Sequence, residues 1–166
     1  MTSDNAESLT SEVVEIVADL IRIDSSNYGD DTGPGEALIA EYSEASLKSV
    51  GIDAERYETT SGKRQGVYAR IAGRDSSRSA LLLHGHLDVV PAAASDWTFD
   101  PFAAEIHDGC VWGRGAVDMK DGVGMILALS RHWARTGYVP PRDIVIQLMP
   151  DEEAGSRHGS HWLVDN

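Results

Sequence analysis

Two continuous apolar segments constrain the fold of this chain more than any other feature of its sequence. They are residues 79–91, "SALLLHGHLDVVP", and residues 142–150, "RDIVIQLMP". Apolar runs of this length are typical of strands that are covered on both faces of a sheet. We therefore expect both segments to form buried strands.

Segments with other periodicities surround the two expected strands. Helical spacing of apolar residues predicts helices over residues 9–23, 36–50 and 122–137, and the last of these is apolar on nearly all sides. Alternating, β-rich segments predict two more strands, over residues 52–60 and 65–73. Helices that alternate with buried strands predict an α/β fold with a mixed β-sheet flanked by helices.

Residues that suit helix termini mark the expected helix ends. Ser8 or Thr10 is the candidate N-cap of the first helix. Gly51 follows the second helix, in the expected C′ position, and Gly137 closes the third. Residues 157–166 start a last helix.

Composition excludes several classes of function. The formal net charge is -13 and no Lys/Arg cluster offsets it, so we expect no nucleic-acid partner. The sequence contains no apolar stretch of about 18 residues, so it predicts no membrane span. No secretory signal is visible, so we expect a cytoplasmic protein. The single cysteine, Cys110, excludes a disulfide within the chain and is interpreted as a core thiol.

Residues 91–122 form one long segment without regular periodicity. An irregular loop of this length inside a compact domain is usually functional. We interpret Trp97, Phe99 and Phe102 as packing residues that stiffen the loop.

Three clusters of acidic or imidazole side chains adjoin apolar segments. His86 and Asp88 follow the first apolar run, Asp118 precedes the third helix, and residues 151–153, "DEE", follow the second apolar run. In a layered α/β sheet, ligands bind at the carboxyl ends of the strands, so the three clusters could converge. Imidazole and carboxylate ligands together suit zinc or a similar divalent ion.

Each cluster has a catalytic and a simpler interpretation. Asp88 could accept a hydrogen bond from His86 and orient the other ring nitrogen toward a metal, or the two could form an ordinary strand-end hydrogen bond. Asp118 could be a ligand, or an acid stabilised by the helix dipole. Glu152 and Glu153 point apart in extended geometry, so one could bind metal while the other acts as a general base. The alternative is a solvated acidic turn.

The clusters lie in three longer blocks, "HGHLDVVPA", "DWTFDPFAAEIHDGCVWGRGAVDMKDG" and "PDEEAGS". In this order the blocks resemble the signature motifs of the M20 family of metallopeptidases and amidohydrolases. That family includes acetylornithine deacetylase, succinyl-diaminopimelate desuccinylase, aminoacylase and glutamate carboxypeptidases. The resemblance extends over essentially the whole chain, and it implies a three-layer, zinc-peptidase-like catalytic domain.

The resemblance also implies a role for each matched residue. His86 would bind one metal, and Asp88 would be the carboxylate that orients it. Asp118 would bridge two metals, Glu153 would bind the second, and Glu152 would be the catalytic base. The implied cofactor is two zinc ions per active site, with cobalt or manganese as alternatives.

Further implications concern the backbone and the extent of the chain. The family commonly has a cis peptide after the bridging carboxylate, which here is the Asp118–Met119 bond. Asp121 stands where the family commonly has glycine, and it matches no ligand. Because family members are much longer, residues 1–166 are expected to be the N-terminal part of a truncated catalytic domain. The C-terminal part of that domain and a lid and dimerisation domain, through which a full-length form could make a homodimer, are expected to be absent.

By this resemblance, the intact protein would hydrolyse an amide bond with a water activated by two metals. The substrate would be a small N-acyl amino acid or dipeptide, and deacylase, desuccinylase and dipeptidase remain alternatives. His86, Asp118 and Glu153 are fewer ligands than two metals need. A second hypothesis is therefore a non-catalytic fragment with an incomplete metal site, inactive and prone to aggregate. A third, a binding module with an acidic surface, has no motif in its favour.

The remaining histidines have structural interpretations. His84 is expected to pack beside His86 on the same face of the strand. His158 and His161 have helical spacing and are interpreted as solvated helix residues. His107 and His132 match no ligand position.

Overall fold

The computed structural model describes residues 3–30, 32–59 and 62–166. Its helices are α1 (Ser3–Arg22), α2 (Ala37–Lys48), α3 (Lys120–Thr136) and α4 (Ser160–Asp165). Its strands are β1 (Ala54–Glu58), β2 (Gln65–Ile71), β3 (Leu81–His86), β4 (Glu105–His107), β5 (Cys110–Trp112) and β6 (Ile144–Met149). Within these ranges, no helix has the length and apolar character needed to cross a membrane.

The central sheet contains β1, β2, β6 and β3 in that order. The strands β1, β2 and β6 pair antiparallel, and β6 pairs parallel with β3, which gives the predicted mixed sheet. The parallel register places His86 beside Met149. The two apolar runs therefore end at the same edge of the sheet, and the residues that follow them are neighbours.

Helices α1, α2 and α3 cover one face of the sheet. Leu20 of α1, Ile39 of α2 and Leu127 of α3 pack in a fully buried core with Val67 and Ile146 of the sheet. Full burial of a side chain of this size stabilises a fold by about 1.5–3 kcal/mol relative to exposure. This core holds the strands of the sheet in place, and it therefore also holds the edge at which β3 and β6 end.

In the described part of the chain, α4 packs on part of the opposite face. Trp162 of α4 stacks on Tyr57 of β1 with 6.1 Å between ring centroids. Leu81 and Leu82 are 47% and 52% exposed. The prediction that the strand in residues 79–91 is covered on both faces is therefore wrong for the first half of β3. This strand lies at one end of the strand order, where it has fewer neighbours to cover it.

Two helices differ from the predictions. The first helix begins at Ser3, so Ser8 and Thr10 lie inside it and neither is the N-cap. Its first turns contain few apolar residues, which is why hydrophobic periodicity did not reveal them. Helix α3 is not apolar on nearly all sides, because its buried residues occupy one face and Met125 is 51% exposed.

Glycines with left-handed backbone follow α2 and α3. Gly137 closes α3 with φ of 65°, as predicted. Helix α2 ends at Lys48 with Ser49 as its C-cap, so the C′ position is residue 50, and Gly51, with φ of 83°, stands one residue beyond the place predicted for it.

The loop of residues 91–122 contains a hairpin formed by β4 and β5. Phe99 stacks on His107 with 3.7 Å between ring centroids and meets Trp112 edge-on at 5.3 Å. These contacts agree with a packing role for Phe99. Cys110 is exposed in the hairpin, so its interpretation as a core thiol is wrong. Val111, the next residue of β5, packs against a smaller core cluster formed mainly by α1, and Cys110 points to the other face of the strand, where it is exposed.

Candidate metal centre

The candidate site lies where β3 and β6 end. Pairing continues past both strands, because the Leu87 N–H donates to the Met149 carbonyl oxygen at 2.8 Å. The segment that follows α1 joins the same edge, where the Asn27 N–H donates to the Val89 carbonyl oxygen at 2.9 Å. Three parts of the chain that are distant in sequence therefore meet at one place.

His86 is buried, and both of its ring nitrogens have partners. Nδ1 donates to the Asp88 carbonyl oxygen at 2.9 Å, whereas the Asp88 carboxylate lies farther away, at 3.6 Å. Nε2 lies 3.0 Å from Asp118 Oδ1. The hydrogen bond from His86 was expected to go to the Asp88 carboxylate, but the Asp88 carbonyl oxygen is the nearer acceptor. The reason is that β3 ends at His86, so Asp88 no longer lies on the same strand face. The contact still directs Nε2 toward Asp118.

The charge of His86 depends on its carboxylate neighbours. Burial lowers its pKa, but hydrogen bonds to Asp88 and Asp118 outweigh burial and raise the pKa to about 9. At neutral pH the metal-free imidazole is therefore protonated on both ring nitrogens and carries a positive charge. A metal ion that binds Nε2 must displace the proton on that nitrogen.

Asp118 precedes α3 and presents its side chain to solvent, with 78% of it exposed. The bond between Asp118 and Met119 is cis, as the family resemblance implied. Gly115, with φ of 80°, lets this segment approach the site closely, because a Cβ there would lie 2.7 Å from a Val89 methyl group. Lys120, fully buried, anchors the start of α3 by donating from Nζ to the Ile23 carbonyl oxygen at 2.8 Å.

Burial also perturbs Lys120, for which the sequence predicted no role. Desolvation lowers the pKa of its amine to about 8. The amine is bonded to backbone and is not aimed at the carboxylates of the site, so we assign it no chemical role.

Glu152 and Glu153 lie in a turn and not in extended backbone. Asp151, which begins this segment, has left-handed backbone with φ of 66°. Its carboxylate accepts hydrogen bonds from Asn27 Nδ2 at 3.1 Å and from the His158 N–H at 2.8 Å. These bonds hold a conformation that is costly for most residues but less so for Asp.

His86, Asp118 and Glu153 form a group whose ligand atoms all lie within 4.8 Å of one another. Burial raises the pKa of Glu153, and the carboxylates of Asp118 and Asp88 raise it further, while His86 opposes them. One imidazole and two carboxylates that repel one another fit a divalent cation, because a cation between them removes the repulsion. Glu152 reaches the rim of this group, with Oε2 3.9 Å from His86 Nε2.

Asp88 is fully buried and links His86 to the acidic turn. Oδ1 accepts from the Glu152 N–H at 2.9 Å, and Oδ2 accepts from the Glu153 N–H at 3.0 Å and from Asn27 Nδ2 at 2.8 Å. Burial alone would raise its pKa, but hydrogen bonds from His86, Asn27 and the two N–H groups outweigh burial and lower it. Asp88 is therefore held as a carboxylate.

Sequence reasoning missed three buried polar residues beside Asp88. Asn27 and Arg64 come from loops, and Glu36 stands directly before α2. Arg64 donates from Nη1 to Glu36 Oε1 and from Nη2 to Asn27 Oδ1, both at 2.7 Å. Local sequence carries no signal for them, since polar residues in loops are usually exposed.

Glu36 supplies a stability term that depends on pH. Burial raises its pKa from 4.5 to about 7, although Arg64 opposes the shift. Between these two values the folded protein binds more protons than the unfolded chain, so stability is expected to fall as the pH rises from about 4.5 through about 7. In Glu36→Gln this decline should be missing. Urea unfolding at several pH values should show the free energy of unfolding shifting in favour of the variant across this interval.

Glu41→Gln removes an exposed carboxylate from α2 and is the matched control for Glu36→Gln. A difference between Glu36→Gln and the wild type that stays constant from pH 4 to pH 8 would contradict the role given to Glu36.

Other histidines lie outside the group formed by His86, Asp118 and Glu153. His84 is exposed, so the expectation that it packs beside His86 is wrong, because its face of β3 is uncovered at this position. His161 is exposed in α4, as interpreted, whereas His158 precedes α4 and is half-buried. His107 is paired with Glu105 at 2.9 Å on the distant hairpin.

Comparison with known proteins gives a consistent result. The protein-family model described as "Peptidase family M20/M25/M40" matches the sequence of residues 82–166, about half of the chain. A succinyl-diaminopimelate desuccinylase of Cereibacter sphaeroides is 36% identical over 156 residues, covering 92% of this chain and 38% of the relative. A succinyl-diaminopimelate desuccinylase 2 of Shewanella loihica is 38% identical over 121 residues, covering 72% and 30%.

Solved structures share the fold. An M20 family metallo-carboxypeptidase from Sulfolobus solfataricus has a TM-score of 0.73 and 26% identity, over 87% of this chain and 32% of that chain. Human carnosine dipeptidase 1 has a TM-score of 0.74 at 22% identity, over 93% of this chain and 36% of that one, a likeness of fold alone. The chain spans well under half the length of these relatives.

Proposed function

Because the chain belongs to peptidase family M20/M25/M40, we propose that its protein hydrolyses the amide bond of a small N-acyl amino acid or dipeptide, with divalent metal ions held at His86, Asp118 and Glu153. The observation that carries this proposal is the approach of these three side chains to within 4.8 Å of one another. A bound divalent cation would supply positive charge that polarises the substrate carbonyl and acidifies water.

In this proposal the metal ligands have different tasks. His86 presents Nε2 because Nδ1 is held by the Asp88 carbonyl oxygen. Glu153 is anchored through its backbone N–H, which leaves its carboxylate available. The exposed carboxylate of Asp118 has two oxygens, which suits the sharing of two zinc ions, with cobalt or manganese as alternatives.

Glu152 is the proposed general base. It is adjacent to a proposed ligand, its side chain is 53% exposed, and its backbone N–H is fixed by Asp88. A carboxylate in this place can take a proton from an attacking water. The protonated Glu152 then returns that proton to the leaving amine, so no net proton is consumed at this residue.

The substrate class rests on the relatives. Those of Cereibacter sphaeroides and Shewanella loihica are called succinyl-diaminopimelate desuccinylases. An N-acylated amino acid, with a succinyl or acetyl group, is therefore the first substrate class to assay, and dipeptides are the second.

Zinc binding by the 166-residue chain tests the proposal. We expect the wild type to bind up to two zinc ions per chain, measured by elemental analysis after dialysis. Its melting temperature should rise with zinc, because a ligand present at 100 times its Kd stabilises the folded state by about 2.7 kcal/mol. Asp118→Asn should lose both effects.

Asp121→Asn is the matched control for Asp118→Asn. Asp121 lies nearby in the first turn of α3, outside the proposed ligands, and asparagine retains an oxygen for the Gly122 N–H. Asp121→Asn is expected to bind zinc as the wild type does. Equal zinc binding by wild type and Asp118→Asn would sink the proposed site.

A second proposal concerns turnover by the 166-residue chain alone. Within its described residues, the group of His86, Asp118 and Glu153 offers three protein ligands for two ions to share. Each catalytic zinc usually has about three protein ligands of its own. Leu81 and Leu82 are also exposed, which favours aggregation. We expect this chain to be poorly active on N-acyl amino acids. Efficient turnover by the purified chain would refute this second proposal.

A further inference from the structure

A row of buried polar side chains runs from the start of α2 to the candidate metal centre. Its members are Glu36, Arg64 and Asn27, which are 0%, 3% and 5% exposed. Burial of charged groups costs free energy that well-packed apolar side chains avoid, so such a row is weak support for stability by itself. Its position beside the site calls for another explanation.

Asn27 is the member that contacts the site. Its Nδ2 donates to Asp88 Oδ2 at 2.8 Å and to Asp151 Oδ1 at 3.1 Å. A single amide thus joins the carboxylate behind His86 to the residue that begins the acidic turn. Its backbone is also fixed, because the Asn27 N–H donates to the Val89 carbonyl oxygen.

Arg64 and the Gly29 N–H together fix which way the Asn27 amide faces. Nη2 of Arg64 donates to Asn27 Oδ1 at 2.7 Å and the Gly29 N–H donates to the same oxygen at 2.9 Å, so the amide nitrogen must face the two carboxylates. Nη1 donates to Glu36 Oε1 at 2.7 Å, and Nε lies 3.9 Å from Asp151 Oδ1. The rigid guanidinium therefore sits between Glu36 and the asparagine.

Glu36 holds the far end of the row. Its backbone N–H donates to the Lys63 carbonyl oxygen at 3.0 Å, which ties the start of α2 to the residue before Arg64. Backbone and side-chain contacts together leave Arg64 little freedom to move away from Asn27.

We propose that Asn27 and Arg64, anchored by Glu36, are positioning residues that hold the Asp88 carboxylate and the turn after β6, so that Glu152 and Glu153 face His86. This inference rests on the proposed function for the roles of Glu152 and Glu153. The contacts that carry it are the hydrogen bonds from Asn27 to Asp88 and Asp151, and those from the Glu152 and Glu153 N–H groups to Asp88.

Amide hydrogen exchange in the metal-free, ¹⁵N-labelled chain tests the positioning itself. In Asn27→Ala, the Glu152 and Glu153 N–H groups are expected to exchange at least about tenfold faster than in the wild type. The rates are compared with that of Ile146, which is paired on both sides at the centre of the sheet and reports on unfolding of the whole fold. A purely structural role would accelerate all three amides equally.

Arg64→Lys is the second variant, and it keeps the positive charge beside Glu36. Lysine has a single nitrogen in place of the fork that bonds Glu36 and Asn27 together, so we expect the same direction of change with a smaller size. Arg70→Lys is its matched control. Arg70 also bonds a carboxylate, that of Asp143, but its side chain is 57% exposed and distant from the row.

Zinc affinity supplies the second readout, measured by competition with a chromophoric chelator below the melting temperature. Asn27→Ala is expected to bind Zn²⁺ about tenfold more weakly than the wild type, and Arg70→Lys to match the wild type. Loss of zinc binding in Asp118→Asn confirms that the metal is at the proposed site.

The outcomes distinguish failure of the positioning role from failure of the proposed metal-dependent function. If Zn²⁺ binds at the site but Asn27→Ala and Arg64→Lys change neither amide exchange nor zinc affinity, the positioning role is wrong and the proposed function stands. If exchange changes and zinc affinity does not, the row holds the turn without serving the metal ligands, which also overturns the inference. If the wild type binds no Zn²⁺ while the exchange changes are seen, the proposed function fails and the row still positions the turn.

Discussion

Replacing Glu152 by glutamine is expected to lower the rate of amide hydrolysis about 10²–10⁴-fold in a zinc-loaded form of the protein that is active on an N-acyl amino acid, with little change in bound zinc. Glutamine has nearly the shape of glutamate but cannot accept a proton from water at neutral pH. The turn should keep its conformation, because Asp88 holds the Glu152 backbone N–H and not its side chain. The measurement is kcat and KM on the best N-acyl amino acid, with zinc content measured on the same samples.

Two further variants make the Glu152 experiment decisive. Glu153→Gln should lose zinc along with activity, which separates a ligand from a base at adjacent positions. Glu55→Gln, an exposed glutamate on β1, is the control for loss of one negative charge. Full activity in Glu152→Gln would show that another group moves the proton.

Replacing Asp88 by alanine is expected to destabilise the fold by about 3–5 kcal/mol, the usual cost of removing one partner from a buried charged network. Asp88 is fully buried and accepts hydrogen bonds from Asn27 Nδ2 and from the N–H groups of Glu152 and Glu153. Without the carboxylate, these donors lose their partner at a position where the side chain is fully buried. Zinc should also bind about 10–100-fold more weakly, because the groups behind the metal ligands are no longer fixed.

Urea unfolding of metal-free protein gives the stability loss in Asp88→Ala. Asp19→Ala is the control, since Asp19 forms an exposed ion pair with Arg22 and should contribute no more than about 1 kcal/mol. A stability loss in Asp88→Ala as small as that in Asp19→Ala would mean that water replaces the carboxylate. The account of Asp88 as the common anchor would then be wrong.

The sequence predicted that the clusters around His86, Asp118 and Glu153 could converge, and the family resemblance picked out these three residues as ligands. Two of them follow apolar runs, and apolar runs that form parallel strands deliver the residues after them to one edge. It also predicted the mixed sheet, because the patterns over β2, β3 and β6 are long and regular. Regular periodicity survives in the structure because burial acts on every second or every third to fourth residue.

Features that depend on contacts between distant segments could not be predicted. Asn27 lies 61 residues before the carboxylate that it bonds, and nothing near it in the sequence distinguishes it from an exposed loop residue. Leu81 and Leu82 look like the buried residues of β6, yet they are 47% and 52% exposed on a strand that lies at one end of the strand order. Cys110 has apolar neighbours but lies on the exposed face of a strand whose next residue, Val111, packs against the core.

The two oxygens of Asp88 each hold one of two adjacent amides, that of the proposed base and that of a proposed ligand. Any shift of this carboxylate moves Glu152 and Glu153 in concert. Protein engineering directed at Asp88 or at the groups behind it therefore cannot retune proton transfer while leaving metal affinity as it was. Independent adjustment of the two properties has to come from side-chain changes within the turn or from Asp118, which belongs to a different segment of the chain.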